Sequence, residues 1–269
     1  MTPEPSTLFA GAFDARSTES LVDYRVLAPT DFRPGERLPL ILHLHGAMSS
    51  AERSLAAAKP VYDAAWDRGT LPRAVVACAS TPTLGGFYID QPDGPRWEAL
   101  VAREFPEMVA QRYDVGHVRA VIGSSMGGYG ALKLAFRAPE RYAAVAAVCP
   151  AIFPGETASA VPERNLPSVL GELHRAMGTD DATYRQNSVY GIARAHRDRI
   201  RAAGTGVFFD CGDADEFGLH DGAVFLDRLL TERAIPHEFH SIAGAGHADA
   251  AGVRLAHAID FVGRRLTAS

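Results

Sequence analysis

Two hydrophobic periods alternate along this chain, and that alternation limits the fold more than any other feature. Short continuous apolar runs fall at residues 38–44 (LPLILHL), 74–79 (AVVACA), 118–122 (VRAVI), 143–149 (AAVAAVC) and 207–211 (VFFDC). Runs of this length without a polar face suit strands covered on both sides, as in a parallel sheet. Residues 21–28 (LVDYRVLA) alternate instead and read as a strand near an edge, and 237–242 (HEFHSI) reads as a last strand. Between them lie helical patterns at residues 50–67, 96–112, 126–137, 221–233 and 250–266. Lys59-Pro60 and Phe105-Pro106 are expected to break or kink the first two, because proline lacks an amide proton and crowds the preceding turn. The pattern predicts an α/β chain with a mostly parallel central sheet flanked by helices. The 269 residues suffice for one such domain, 1–269.

The rhythm stops once. Between residues 150 and 203 there is no strand pattern, and Pro154, Pro162 and Pro167 punctuate the first part. Long connections inside a domain usually carry structure or function of their own, so 151–203 is expected to form a small, partly helical cap insertion.

With 47% apolar and 22% charged residues the chain has the composition of a globular protein, and its formal charge of −5 gives no electrostatic basis for binding nucleic acid or an anionic membrane. No apolar run approaches the ~20 residues that span a bilayer. Residues 1–10 show neither a basic segment nor a long apolar one, so no secretory signal is read there. Cys78, Cys149 and Cys211 each sit at the end of an apolar run and are read as buried free thiols. Their odd number and scattered spacing argue against a disulfide framework and against a zinc site, which favours a cytoplasmic location.

The chemistry centres on Gly123-Ser124-Ser125-Met126-Gly127. This G-x-S-x-G follows one predicted strand and opens a predicted helix, the context in which such a serine sits on a sharp turn with its hydroxyl above the carboxyl ends of the strands. The flanking glycines remove side chains that would collide with strand and helix. Ser125 is thus the candidate nucleophile, and the Met126 N–H points into the same space from the start of a helix. The second backbone donor of an oxyanion hole comes from the loop after residues 38–44, His45-Gly46-Ala47, which points to Ala47. His43 and His45 lie on one face of a strand, but without a nearby carboxylate they read as buried, hydrogen-bonded histidines, so no metal is expected.

A serine hydroxyl is a weak nucleophile until a base takes its proton. In this topology the acid follows the serine and the histidine follows the acid. Asp210 is too early, inside the strand; Asp213 and Asp215 are both possible in the loop, and Asp215, further along, is preferred. The base is His247, the histidine of the loop Ala243-Gly244-Ala245-Gly246-His247 before the last helix.

These residues, with Trp97–Tyr113 (WEALVAREFPEMVAQRY), Pro139–Tyr142 (PERY) and Asp210–Phe217 (DCGDADEF), resemble the esterase-D-like branch of the α/β-hydrolases over roughly residues 21–266. That branch includes S-formylglutathione hydrolases, carboxylesterases, feruloyl esterases and mycolyltransferases. The resemblance implies an α/β-hydrolase fold and the triad Ser125, Asp215 and His247, placing the acid on Asp215. It puts the oxyanion donors on Ala47, where the family often has a larger residue, and on Met126. Gly85-Gly86-Phe87-Tyr88 resembles a loop lining the site in such enzymes, so Phe87 and Tyr88 are candidate substrate contacts. The expected reaction is hydrolysis of a small ester or thioester through an acyl-enzyme, with no cofactor. Acyl transfer to an alcohol or sugar is an alternative, as is a non-catalytic binding protein of the same fold. Self-association into a homo-oligomer is left open.

Overall fold

The runs without a polar face become the buried strands of one sheet. In this computed structural model, residues 6–33, 35–82, 86–165 and 171–268 are described. The chain opens with an antiparallel hairpin of β1 (Ser6–Ala15) and β2 (Ser20–Pro29), then β3 (Leu40–Leu44), α1 (Ala51–Asp67) and β4 (Val75–Ala79). Next come α2 (Trp97–Ala99), a π-helical stretch (Leu100–Glu104), α3 (Phe105–Tyr113), β5 (Val118–Ser124), α4 (Met126–Arg137) and β6 (Ala144–Val148). Short helices α5 (Gly171–Ala176), α6 (Asp181–Asn187), α7 (Val189–Ala195) and α8 (Arg197–Ala203) follow. The chain closes through β7 (Gly206–Gly212), α9 (Leu219–Glu232), β8 (Glu238–Ile242) and α10 (Ala251–Thr267).

The sheet order is β1-β2-β4-β3-β5-β6-β7-β8. β2 runs antiparallel to β4, and β4, β3, β5, β6, β7 and β8 are mutually parallel. Successive side chains of a strand face opposite ways, so each buried strand feeds two cores. Leu40, Leu42 and Leu44 of β3 join the core that includes α3, α4 and α9, while Ile41 joins the core under α1 and α10. Among the described residues no helix is long and apolar enough to cross a membrane.

Two expectations about proline fare differently. α1 runs unbroken through Pro60, because Ala51, Leu55, Ala58, Tyr62 and Ala65 form one buried stripe whose packing outweighs the lost backbone bond. The helix expected over 96–112 does change character before Pro106: its middle widens into the π-helical stretch, after which α3 restarts with proline in its first turn. β1 was not foreseen. It is an edge strand, exposed along much of its length, and so lacks the apolar run that marks the inner strands. Between 150 and 203 the described residues form two 3₁₀ turns and α5–α8, with no strand.

Candidate active site

The strand order reverses direction between β3 and β5, since β4 lies on one side of β3 and β6 on the far side of β5. In open α/β sheets the crevice at the carboxyl ends of the strands beside such a reversal is the usual ligand site. Ser125 follows β5 there, and Ala47 follows β3.

Close backbone packing builds the turn. Ser125 has φ 55° and ψ −119°, a conformation that side chains rarely adopt. A Cβ on Gly123 would stand 2.1 Å from the Gly127 carbonyl oxygen, and one on Gly127 would stand 2.0 Å from that of Leu44, so both positions require glycine. The loop after β3 presses on the same turn: a Cβ on Gly46 would lie 3.5 Å from Ser125 Cβ. Among the described residues the Ala47 and Met126 N–H groups donate to no protein acceptor, and the Ser125 hydroxyl makes no hydrogen bond.

The loop bearing Ala47 is held from behind. His45 donates from Nδ1 to the Gly46 carbonyl (2.8 Å) and accepts the Thr81 N–H at Nε2 (2.9 Å), which fixes its tautomer. Burial lowers the pKa of His45, and burial together with His45 lowers that of His43 to about 4. His43 is bonded to Tyr62 and Ser54 on α1. Tyr88 donates to the His45 carbonyl (2.9 Å), and its own carbonyl accepts from Lys133, which pairs with Glu98 (2.9 Å). Phe87 and Tyr88 are buried. Tyr88 thereby braces the loop from beneath; Gly85 lies outside the described residues.

The acid loop after β7 brings Asp215, not Asp213, to the histidine. Asp215 is buried, and its Oδ2 accepts from His247 Nδ1 (2.7 Å) and from the Cys149 thiol (2.9 Å). Its Oδ1 accepts the N–H groups of Phe217 (2.9 Å) and Leu219 (3.2 Å), the latter at the start of α9. Burial would raise the Asp215 pKa, but the hydrogen bonds from His247, Cys149 and Leu219 outweigh it and hold the carboxyl down to about 2. Burial likewise works against charge on His247, yet the bond to Asp215, with Cys149 beside it, pushes its pKa up to about 9. Since Nδ1 carries the proton given to Asp215, Nε2 is the ring's acceptor. Phe217 packs edge-on against the imidazole, ring centroids 4.9 Å apart. Asp213 is exposed and accepts the Gly244 N–H (2.7 Å), so it fastens the histidine loop without touching the ring.

Sequence reasoning missed the groups that clamp this loop. Glu216 accepts the His247 N–H (2.8 Å). Arg254, on α10, donates to the His247 carbonyl (3.2 Å) and forms a two-point ion pair with Asp210 (2.6 and 3.2 Å). The signals were present: Asp210 interrupts an apolar strand, and Arg254 falls on the buried stripe of α10 with Ala258 and Phe261. The Arg254 and Asp210 side chains are 2% and 1% exposed, so neither charge has water to fall back on. Arg254→Met is expected to destabilise the fold by about 3–5 kcal/mol, because it strands the Asp210 charge. Urea denaturation should show a lower midpoint at unchanged slope, and adding Asp210→Asn should recover part of the loss.

A cavity of about 770 Å³, lined in part by Arg137, Arg141, Tyr142 and His196, lies at the opposite end of α4. Its first lining residue on that helix, Leu134, stands nine positions beyond Ser125, about 13 Å along the axis, so it is not part of this site.

Comparison with known proteins identifies the family. A family model described as "Putative esterase" matches residues 15–251. An S-formylglutathione hydrolase of Paracoccus denitrificans (strain Pd 1222) is 30% identical over 250 residues, 87% of this chain and 84% of that protein. Among solved structures, a ferulic acid esterase superposes with a TM-score of 0.78 at 23% identity, covering 97% of this chain and 98% of its own. An S-formylglutathione hydrolase from Agrobacterium tumefaciens gives 0.75 at 19% identity, covering 99% and 98%. The two structural likenesses establish the α/β-hydrolase fold, and the family match covers most of the chain. The chain therefore belongs to the esterase-D-like family of α/β-hydrolases and is a serine hydrolase.

Proposed function

We propose that this protein hydrolyses small carboxylic esters or thioesters through an acyl-enzyme on Ser125, with His247 as base and Asp215 as its orienting acid. The observation that carries this reading is the 2.7 Å bond from His247 to the buried Asp215 carboxylate, at the strand ends where Ser125 occupies its constrained turn. His247 Nε2 takes the hydroxyl proton as Ser125 attacks the carbonyl carbon. The bond from Nδ1 to Asp215 keeps the ring in the tautomer that can accept it. The Ala47 and Met126 N–H groups, free of protein acceptors, hold the oxyanion, each worth on the order of 3–4 kcal/mol in the transition state. The protonated imidazole then releases the alcohol or thiol, and water activated by the same ring frees the acid. The Ser125 hydroxyl is unbonded without substrate, and such contacts commonly tighten only in the Michaelis complex.

We also read residues 151–203 as a cap beside this site. The segment leaves directly from the nucleophile turn, where the Ala151 N–H donates to the Ser125 carbonyl (2.9 Å). It touches the end of the acid loop and the start of α9, where Asn165 donates to the Gly218 carbonyl (3.3 Å) and to Asp221 (2.9 Å). Three free cysteines, all buried, suit a reducing compartment such as the cytoplasm.

The test combines a fluorophosphonate probe with a panel of p-nitrophenyl esters of rising acyl length and S-formylglutathione. The expected result is covalent labelling at Ser125 and turnover concentrated on short acyl groups. Folded protein that neither reacts with the probe nor cleaves any member of the panel would refute the assignment, and acyl products formed only with an added alcohol would convert it to an acyltransferase.

A further inference from the structure

The scattered cysteine spacing argued against a metal site, yet the fold unites two of the three thiols with the acid. β6 and β7 are parallel neighbours with Val148 opposite Asp210, so the residues that follow, Cys149 and Cys211, emerge side by side. Their sulfurs are 3.0 Å apart. Cys149 Sγ lies 2.9 Å and Cys211 Sγ 4.0 Å from Asp215 Oδ2. These three donor atoms are all within 4.8 Å of one another, on buried residues. His247 Nδ1 stands 2.7 Å from the same carboxylate oxygen. We propose that Cys149, Cys211 and Asp215, the carboxylate that His247 depends on, form an inhibitory binding site for one thiophilic divalent cation of the zinc and cadmium kind.

Two sulfurs and one carboxylate oxygen make three donors of the type such ions select, and water completes the tetrahedron. Around zinc, sulfur–sulfur and sulfur–oxygen separations of about 3.8 and 3.5 Å follow from the usual bond lengths. The two sulfur–oxygen spacings bracket their value and the sulfur–sulfur spacing of 3.0 Å falls short of its own, so Cys149 must retreat by less than about 1 Å while Cys211 and Asp215 already stand far enough apart. Binding forms two metal–sulfur bonds and releases two thiol protons to solvent, leaving the oxidation state of every atom unchanged. The cation takes the lone pair of Asp215 Oδ2 on which His247 Nδ1 depends. Nδ1 then loses the acceptor that holds the ring in its tautomer and orientation, and the base no longer presents Nε2 to Ser125. Binding stands on geometry alone; inhibition rests on the triad reading given above.

The test is a titration of the reduced full chain with cadmium chloride, followed by the ultraviolet charge-transfer band of cadmium thiolate and by p-nitrophenyl acetate hydrolysis. The expected result is a band that saturates at one equivalent, a fall in activity on the order of tenfold or more, and recovery of both with a chelator. Cys211→Ser should show no saturating band and lose no activity to cadmium relative to its own metal-free rate, whereas Cys78→Ala should behave as wild type. Cys211→Ala serves where circular dichroism shows the serine variant misfolded. Absence of the band in the wild type, or inhibition that persists in a folded Cys211 variant, would overturn the proposal. A band in a protein without esterase activity would leave the metal site standing and remove the triad reading instead.

Discussion

Ser125→Ala should leave the fold intact and lower kcat for p-nitrophenyl acetate by about 10⁴–10⁶-fold. Among the described residues the hydroxyl makes no hydrogen bond, so its removal orphans no buried partner there. Alanine meets the positive φ at this position much as serine does, and the change in unfolding free energy should stay within about 1 kcal/mol. Nearly all of the effect should therefore appear in the chemical step. The residual rate would come from the Ala47 and Met126 N–H groups, which still meet a developing oxyanion when water attacks directly. Steady-state kinetics beside a urea titration separates the two contributions. A variant that folds normally and keeps its rate would remove Ser125 from the mechanism.

The two aspartates of the acid loop should separate by orders of magnitude. Asp215→Asn is expected to cost on the order of 10⁴-fold in kcat, because an amide can present a donor to Nδ1 and turn the imidazole to the wrong tautomer. Asp213→Asn loosens one exposed backbone contact at Gly244 and should cost less than about tenfold. The pH profile gives an independent reading. A base works only when neutral, and the His247 pKa is pushed up to about 9, so wild-type kcat/KM should climb as pH rises through that region. Without the Asp215 carboxylate, burial is left to favour the neutral ring, and the rising limb should move to lower pH in Asp215→Asn. A limb that stays in place in Asp215→Asn but shifts in Asp213→Asn would transfer the acid role to Asp213.

The sequence disclosed those parts of the structure that depend on a single stretch of chain. Unbroken apolar runs marked β3 to β7, and the G-x-S-x-G between a run and a helix marked Ser125, because strand period and turn chemistry are local properties. β1 escaped because an edge strand faces water and carries no apolar signature. Pro60 misled because a buried stripe can outweigh a local breaker. The bond from Tyr88 to the His45 carbonyl was equally hidden, because an aromatic's partners depend on packing rather than on its own stretch of chain. The Asp210–Arg254 pair, Glu216 and the Cys149–Cys211 contact join residues far apart in sequence, and register across the sheet brings them together.

The ion pair beneath the imidazole loop also bears on how a ribosome delivers this protein. Arg254 belongs to α10, which is synthesised after all eight strands, so a nascent chain that already holds the serine turn and the acid loop still lacks the group that anchors the His247 carbonyl. Unfinished chains should therefore be hydrolytically silent even where their sheet has begun to form. Activity would then report synthesis and docking of α10, more sharply than any spectroscopic measure of secondary structure.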